Sequence, residues 1–326
     1  MKLSLALATH NEEANIEACI ASCKGLVDEV VVVDGSSTDK TAEIAHKMGA
    51  RVLITSNPSM FHINKQKAID AATGEWILQL DADERVSPEL AGEIKKVIKM
   101  SEGELEEYEK NLLEKELFER HENIVISSQN GGLSRHLPHQ GSPPNRRVHA
   151  VGVPDDSTPV LPPNNAFFIP RLNFFLGKYL RYGGVYPDGV IRLFKKGKAH
   201  LPCKDVHEIM EVEGKVGWLQ NPLKHIDSPT FSRYLERNSR YIDLLAEELA
   251  KREACSANRS IQRRYTLHVT RILLFFDYMF LKPISWFLMT TFRHKGILDG
   301  WQGVVFSFFS ALRFPRAYIR YLKLRF

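Results

Sequence analysis

Four consecutive valines, Val30 to Val33, stand between Glu29 and Asp34. A strand that offers no polar face to either side is covered on both, and such strands belong to parallel sheets packed between helices. The flanking sequence supplies the helices. Ile16, Cys19, Ile20 and Cys23 recur at helical spacing within residues 14–23, and residues 41–48 and 61–72 also read as helices. Residues 3–8, 51–54 and 76–80 read as further strands, and Ser87-Pro88-Glu89-Leu90 caps a helix that runs to about Met100. Strand and helix in alternation make βαβ units with right-handed crossovers. The expected class is therefore α/β: a Rossmann-like, mostly parallel sheet flanked by helices.

In open sheets of this kind, ligands bind beyond the carboxyl ends of the strands. The first strand runs into Thr9-His10-Asn11-Glu12-Glu13, the second into Asp34-Gly35-Ser36-Ser37-Thr38-Asp39, and the fourth into Asp81-Ala82-Asp83-Glu84. Acids from separate segments thus converge on one edge. Two carboxylates one residue apart, facing one small volume, repel each other and bear a desolvation cost. A hard divalent ion, Mn²⁺ or Mg²⁺, removes both problems, and a nucleotide diphosphate is its usual companion in so sparse a site. Taken alone, an Asp-x-Asp is weak evidence, because a solvated acidic turn looks the same. Neither G-x-G-x-x-G nor G-x-x-x-x-G-K-[ST] follows any strand, which argues against a dinucleotide fold and a P-loop.

Three stretches resemble the signatures of glycosyltransferase family 2: Leu5-Ala6-Leu7-Ala8-Thr9-His10-Asn11-Glu12-Glu13, Val31-Val32-Val33-Asp34-Gly35-Ser36-Ser37-Thr38-Asp39-Lys40-Thr41, and Leu80-Asp81-Ala82-Asp83-Glu84. The resemblance implies the GT-A fold, inversion at the anomeric carbon and a nucleotide-diphospho-sugar donor, here expected to be a UDP-sugar and foremost UDP-glucose. It implies nucleoside contacts for Thr9, Glu12 and Asp34, with Asp39 near them. Asp81 would reach ribose or metal, and Asp83 would be the main metal ligand. Lys67, with Lys65, is expected to help hold phosphate. The bland alternatives are helix capping by Thr9, Glu12 and Asp39 and solvated helix lysines. Asp34, a carboxylate at a buried strand end, reads as functional.

Pro170-Arg171-Leu172-Asn173-Phe174-Phe175-Leu176-Gly177-Lys178, Gly183-Gly184-Val185-Tyr186-Pro187-Asp188, Arg192-Leu193-Phe194 and Val206-His207-Glu208 are similar to one branch of that family. The branch includes bacterial lipopolysaccharide core β-1,4-glucosyltransferases. On this likeness Glu208 takes the proton of the acceptor hydroxyl as it attacks, with Asp188 as second candidate for that base. His225 stands where GT-A enzymes often bring a third metal ligand, and Arg192 is placed to pair with phosphate. The acceptor is expected to be a lipid-linked or oligosaccharide component of the cell envelope.

Residues 101–166 interrupt the likeness. Glu102 to Glu122 carries Leu105, Tyr108, Leu112, Leu113, Leu117 and Phe118 as an amphipathic stripe, and a proline-rich passage follows to about Asn165. The segment reads as one helix and a long loop, either a lid or acceptor arm or a surface excursion without function. The chain then divides into a nucleotide-sugar half (1–100), this insertion (101–166), an acceptor half (167–258) and a tail (259–326).

Charge sets the tail apart. From Arg259 onward 12 Lys and Arg stand against 2 acids, in a chain whose net charge is +5. Asp277, Lys282-Pro283 and Arg313 interrupt its apolar runs, so no segment is expected to offer the ~20 unbroken apolar residues that spanning requires. A basic amphipathic helical region with Trp286 and Trp301 suits helices lying in the interface of an anionic membrane. A packed helical subdomain or dimer face is the alternative. Nucleic acid is not expected, because aliphatic surface outweighs the basic residues. Cys19, Cys23, Cys203 and Cys255 form no C-x-x-C pair, which reads as a reducing compartment. The expected location is cytoplasmic, peripheral on the inner face of the plasma membrane. Two rival classes remain. A sugar nucleotidyltransferase needs a glycine-rich loop where Thr9-His10-Asn11-Glu12 stands, and a non-catalytic membrane scaffold leaves the converging acids unexplained.

Overall fold

The computed structural model describes residues 1–129, 163–203, 210–257 and 271–325. The chain forms two compact units, Met1–Arg171 with Pro187–His225, and Leu172–Tyr186 with Ile226–Phe326. These limits differ from divisions at 167 and 259, because the helix that begins at Phe231 packs with the C-terminal helices.

In the first unit β1 (Leu3–Thr9), α1 (Ile16–Ser22), β2 (Glu29–Asp34), α2 (Thr41–Lys47), β3 (Arg51–Ile54), α3 (His62–Ala71) and β4 (Trp76–Leu80) alternate as the periodicity predicts. There follow β5 (Glu84–Arg85), α4 (Pro88–Val97), α5 (Glu102–Lys110), α6 (Lys115–Gln129) and β6 (Asn164–Ile169). Then come β7 (Arg171–Phe175), β8 (Lys178–Leu180), β9 (Val190–Lys195), β10 (Ala199–His200), β11 (Glu211–Val212), β12 (Lys215–Trp218) and β13 (Leu223–Ser228). Seven strands make one sheet in the order β12-β6-β9-β4-β1-β2-β3. β9 runs antiparallel to β4 and β6, and the remaining pairings are parallel. This is the expected GT-A architecture.

Val31 to Val33 are buried, with Val31 and Val32 at 0 % exposure, and Val30 is half-buried at the strand's start. Leu3, Leu5 and Leu7 of β1 share a core with Ile16 and Cys19 of α1, with Cys23 at its C-terminal cap and with Leu78 and Leu80 of β4. Each such side chain contributes roughly 1.5–3 kcal/mol. Cys19 and Cys23 are therefore packing residues, and burial pushes the Cys23 thiol up to about 12.

Among the described residues of the insertion there are two helices where one is expected. A capping box between Ser101 and Glu104 opens α5, which stops at Asn111 and leaves Leu113 84 % exposed. Leu105 joins the main core, and Phe118 of α6 is buried against Trp218. Residues 102–123 are thereby anchored to the first unit through these two side chains. The proline-rich passage lies almost wholly outside the described residues.

The second unit holds α7 (Phe231–Ala257), packed with the helix Arg313–Arg325 around Ala246, Leu249, Tyr278, Phe314, Tyr318 and Tyr321. The β7–β8 hairpin brings Phe175 and Leu180 onto Tyr234. Arg271–Arg293 is one helical run of 23 residues, long and apolar enough by length and composition to cross a membrane. The helix is longer than the interrupted runs suggest, although its apolar residues are not unbroken. Asp277 and Lys282, which interrupt the apolar pattern, pair with each other at 2.9 Å across a π-helical turn, so the helix continues through them.

Candidate functional site

Because β1 is parallel to both β2 and β4, all three end at the same edge, with Thr9 beside Asp34 and Leu7 beside Leu80. Asp34 is 1 % exposed. Its carboxylate accepts from Thr9 Oγ1 at 3.1 Å, from Ser37 Oγ at 2.6 Å and from the Ser37 amide at 2.8 Å. A buried acid so completely satisfied locks the turn after β2, a structural task that its strand-end position does not reveal. The Glu12 amide donates to Thr41 Oγ1 at 2.7 Å, and Glu12 Oε2 accepts from Asn15 Nδ2 at 2.8 Å. Asp39 accepts from the amide and hydroxyl of Thr41 and from the Glu13 amide, so it ties the two loops together. Thr9, Glu12, Asp34 and Asp39 are thus assembled at one edge, already hydrogen-bonded to one another's loops.

The acids after β4 divide in two. Glu84, fully buried, accepts from the Asp81 amide at 2.9 Å, from Arg192 Nη2 at 2.8 Å and from Arg171 Nη1 at 3.4 Å. It points inward and anchors the turn. Asp81 faces Lys65 Nζ at 2.5 Å and Arg192 Nη2 at 2.6 Å. Burial opposes its charge, yet the Arg192 and Lys65 cations hold its carboxyl well below the usual range. Asp83 lies 3.3 Å from His225 Nε2. There too burial opposes the charge, and the hydrogen bond with His225 outweighs it. His225 reaches this place because β13 pairs antiparallel with β5, setting His225 opposite Glu84.

Three expected contacts come out differently. Arg192 is 7 % exposed and its terminal nitrogens are taken by Gln79, Asp81 and Glu84, so it anchors acids instead of standing free for phosphate. Lys65, not Lys67, reaches the acids; two residues along a helix point to different sides, and Lys67 Nζ meets Thr55 Oγ1 at 2.9 Å. Asp188 is held by Arg171 Nη2 at 2.9 Å, on a backbone with φ of +32°. Glu208, with Asp205 and His207, lies outside the described residues. Arg171, Gln79 and the inward turn of Glu84 are the parts a strand pattern misses. Their one signal is a Gln inside an otherwise apolar strand.

Among the described residues, no three His, Cys, Asp or Glu side chains form a ready metal cage. Asp83 and His225 offer an oxygen and a nitrogen side by side, with Asp81 shared between two cations. Mg²⁺-like ions at nucleotide sites are bound through one or two carboxylates and completed by substrate phosphates. The donor set fits an ion that arrives with a diphosphate.

Residues 4–103 match the family model for glycosyl transferase family 2. An uncharacterized glycosyltransferase of Rickettsia bellii is 43 % identical over 94 residues, 28 % of this chain and 31 % of that one. The glycosyltransferase SunS of Bacillus phage SPbeta is 33 % identical over 102 residues, 31 % of this chain and 24 % of its own. The chain spans about a third of the length of the curated relatives it matches. Among solved structures, glucosyl-3-phosphoglycerate synthase from Mycobacterium tuberculosis, in complex with Mn²⁺ and UDP-glucose, is 30 % identical over 26 % of this chain and 34 % of that one, with a TM-score of 0.24.

Proposed function

We propose that the chain is an inverting glycosyltransferase that works with Mn²⁺ or Mg²⁺ and moves a hexose, glucose foremost, from a UDP-sugar to a lipid-linked or saccharide acceptor of the cell envelope. In this reading it is a counterpart of the lipopolysaccharide core β-1,4-glucosyltransferases. One observation carries the reading: Thr9, Asp34, Asp81 and Asp83 stand at the carboxyl ends of three adjacent parallel strands, within the stretch that matches family 2.

Asp83 and His225 are the residues that would hold the ion, with Asp81 beside them. Once bound, the ion supplies positive charge where the diphosphate leaves. Lys65 adds a side-chain cation at the same edge, paired with Asp81 and lying over the Phe61 ring, from where it can meet an incoming phosphate. Thr9, Glu12, Asp34 and Asp39 shape the nucleoside end. Glu208 takes the acceptor proton, and Asp188 is the next candidate. The exposed apolar helices of the second unit are read as the attachment to an anionic membrane surface, on the cytoplasmic side.

Thermal stabilisation by UDP and UDP-glucose, each with and without Mn²⁺, tests the reading. The wild type is expected to gain stability only when nucleotide and Mn²⁺ are both present, and Asp83→Ala is expected to lose that gain while keeping its own melting temperature. An Asp83→Ala protein stabilised as strongly as the wild type would take the metal role away from Asp83. Glu208→Gln should keep the stabilisation and stop UDP release; if turnover persists, the base is elsewhere.

A further inference from the structure

We propose that His121, on the inserted helix α6, is a positioning residue for Asp188: its imidazole and the Trp218 ring together hold the Asp188–Gly189 turn against Arg171. The proposal rests on reading Asp188 as an acid of the transfer site, while the bracing itself is a separate claim with its own test.

Gly189 donates its backbone N–H to His121 Nε2 at 3.0 Å. An imidazole that accepts at Nε2 carries its proton on Nδ1, so the bond exists only for the neutral ring. Gly189 also lies against Trp218: a Cβ there would sit 2.2 Å from Cη2 and 3.2 Å from His121 Cδ2. Trp218 is itself fixed between Phe118, stacked at 4.6 Å and 4°, and Phe168, stacked at 4.8 Å and 23°, with His121 edge-on at 5.8 Å and 85°. Phe118 and His121 are one turn apart on α6, so a single helical face supplies both the clamp on the ring and the acceptor for the turn.

The braced backbone is one that a β-carbon disfavours. Asp188 sits at a φ of +32°. Conformations of this kind persist where their surroundings over-determine them, and they gather at functional sites. The turn presents Asp188 Oδ2 to Arg171 Nη2 at 2.9 Å, and Arg171 Nη1 reaches on to Glu84 at 3.4 Å. Through Glu84 the chain of charges continues to Arg192 and Asp81. The insertion is thereby joined to the acids at the sheet edge through side chains that touch in sequence.

The charged groups near His121 are Asp188 and Arg171. Burial lowers the ring's affinity for a proton, and Asp188 pulls the other way. Protonation would set a donor against the Gly189 N–H, so acidification is expected to release the turn.

Two measurements test this. In protein with ¹³C-labelled histidine rings, with His121→Gln assigning the resonance, the His121 ring is expected to stay neutral below the ordinary midpoint of about 6.5. In Asp188→Asn its midpoint should fall further, since the carboxylate that favours the cation is gone. A ring that titrates as an exposed histidine, or ignores Asp188→Asn, overturns the bracing whatever Asp188 does. For the functional half, UDP release from UDP-glucose with Mn²⁺ is followed with water as acceptor. His121→Ala is expected to lower kcat roughly tenfold at unchanged donor KM, as misplacement of a reacting group does. His121→Gln, which keeps an acceptor and takes no proton, should recover most of that loss and flatten the acidic limb of the pH profile. Wild-type kcat in His121→Ala overturns the positioning role. Wild-type kcat in Asp188→Asn overturns instead the reading of Asp188, with the ring titration still standing or falling by itself.

Discussion

Glu84 has no exposed surface, and a carboxylate so placed costs several kcal/mol unless its charge is met on the spot. Arg192 and Arg171 meet it, and Arg192 at the same time meets Asp81. One guanidinium therefore sets the spacing between an acid that anchors and an acid at the carboxyl edge of the sheet. Arg192→Met, similar in size and uncharged, should destabilise the protein by ~3–5 kcal/mol at neutral pH, the usual result of orphaning a buried charge. Urea unfolding reads this directly. The sign of its pH dependence follows from Asp81. In the wild type its depressed carboxyl contributes stability above the ordinary carboxylate range, and that contribution is lost as pH falls through the lower native value. The variant lacks much of it, so the gap between the two proteins should narrow on acidification below about pH 4. A gap that widened instead would mean that Arg192 does not hold Asp81. At this scale Asp83, Thr9 and Asp81 are legible from sequence, because a strand's end is fixed by its apolar run. Lys65 against Lys67, and the inward turn of Glu84, depend on helix phase and on an arginine over a hundred residues away, and no local pattern carries that information.

Elements show the same division. The strands Glu29–Asp34, Arg51–Ile54 and Trp76–Leu80 have the bounds their runs suggest; in Trp76–Leu80 every residue is buried, which leaves the pattern little freedom, whereas Arg51–Ile54 is an edge strand with Leu53 and Ile54 exposed. The insertion is different. Its amphipathic stripe reveals a buried face, but the partner of Phe118 is Trp218, at the far end of β12, and nothing local to the stripe names that partner. Phe118 is 1 % exposed in a cluster of four rings, so Phe118→Ala should cost ~3–5 kcal/mol in guanidinium unfolding. A decorative surface helix would lose within about 0.5 kcal/mol for the same change, and a loss that small would separate α6 from the fold. The position of β9 was legible only in part. Its apolar character marks a strand, while its antiparallel placement between β4 and β6 is what carries Arg192 to the edge where Asp81 lies.

On the scale of the whole molecule, the first unit holds the acids and the second holds an excess of exposed apolar surface. Phe276, Phe280, Leu281, Ile284, Leu288 and Phe292 all stand exposed along Arg271–Arg293. Scattered exposed hydrophobics are ordinary, but a row of them along one helix marks a contact surface. Arg293 and Lys295 are exposed just beyond that row, which complements anionic headgroups. Phe280 and Ile284 lie one turn apart, so both enter lipid or neither does. Phe280→Asp with Ile284→Asp removes roughly 3 kcal/mol or more of burial, about a hundredfold in partition onto vesicles. Co-sedimentation with phosphatidylglycerol vesicles should show this loss while leaving UDP and Mn²⁺ stabilisation of the first unit unchanged. Salt then decides the mode of attachment. Helices held at the interface partly by charge should be released from the membrane at 1 M salt, where the Debye length falls to about 3 Å, whereas a segment that spans stays bound. If the double substitution leaves vesicle binding intact but abolishes self-association in the absence of lipid, the same apolar row is a contact between copies of the chain, and the basic residues beside it owe their excess to something other than a bilayer.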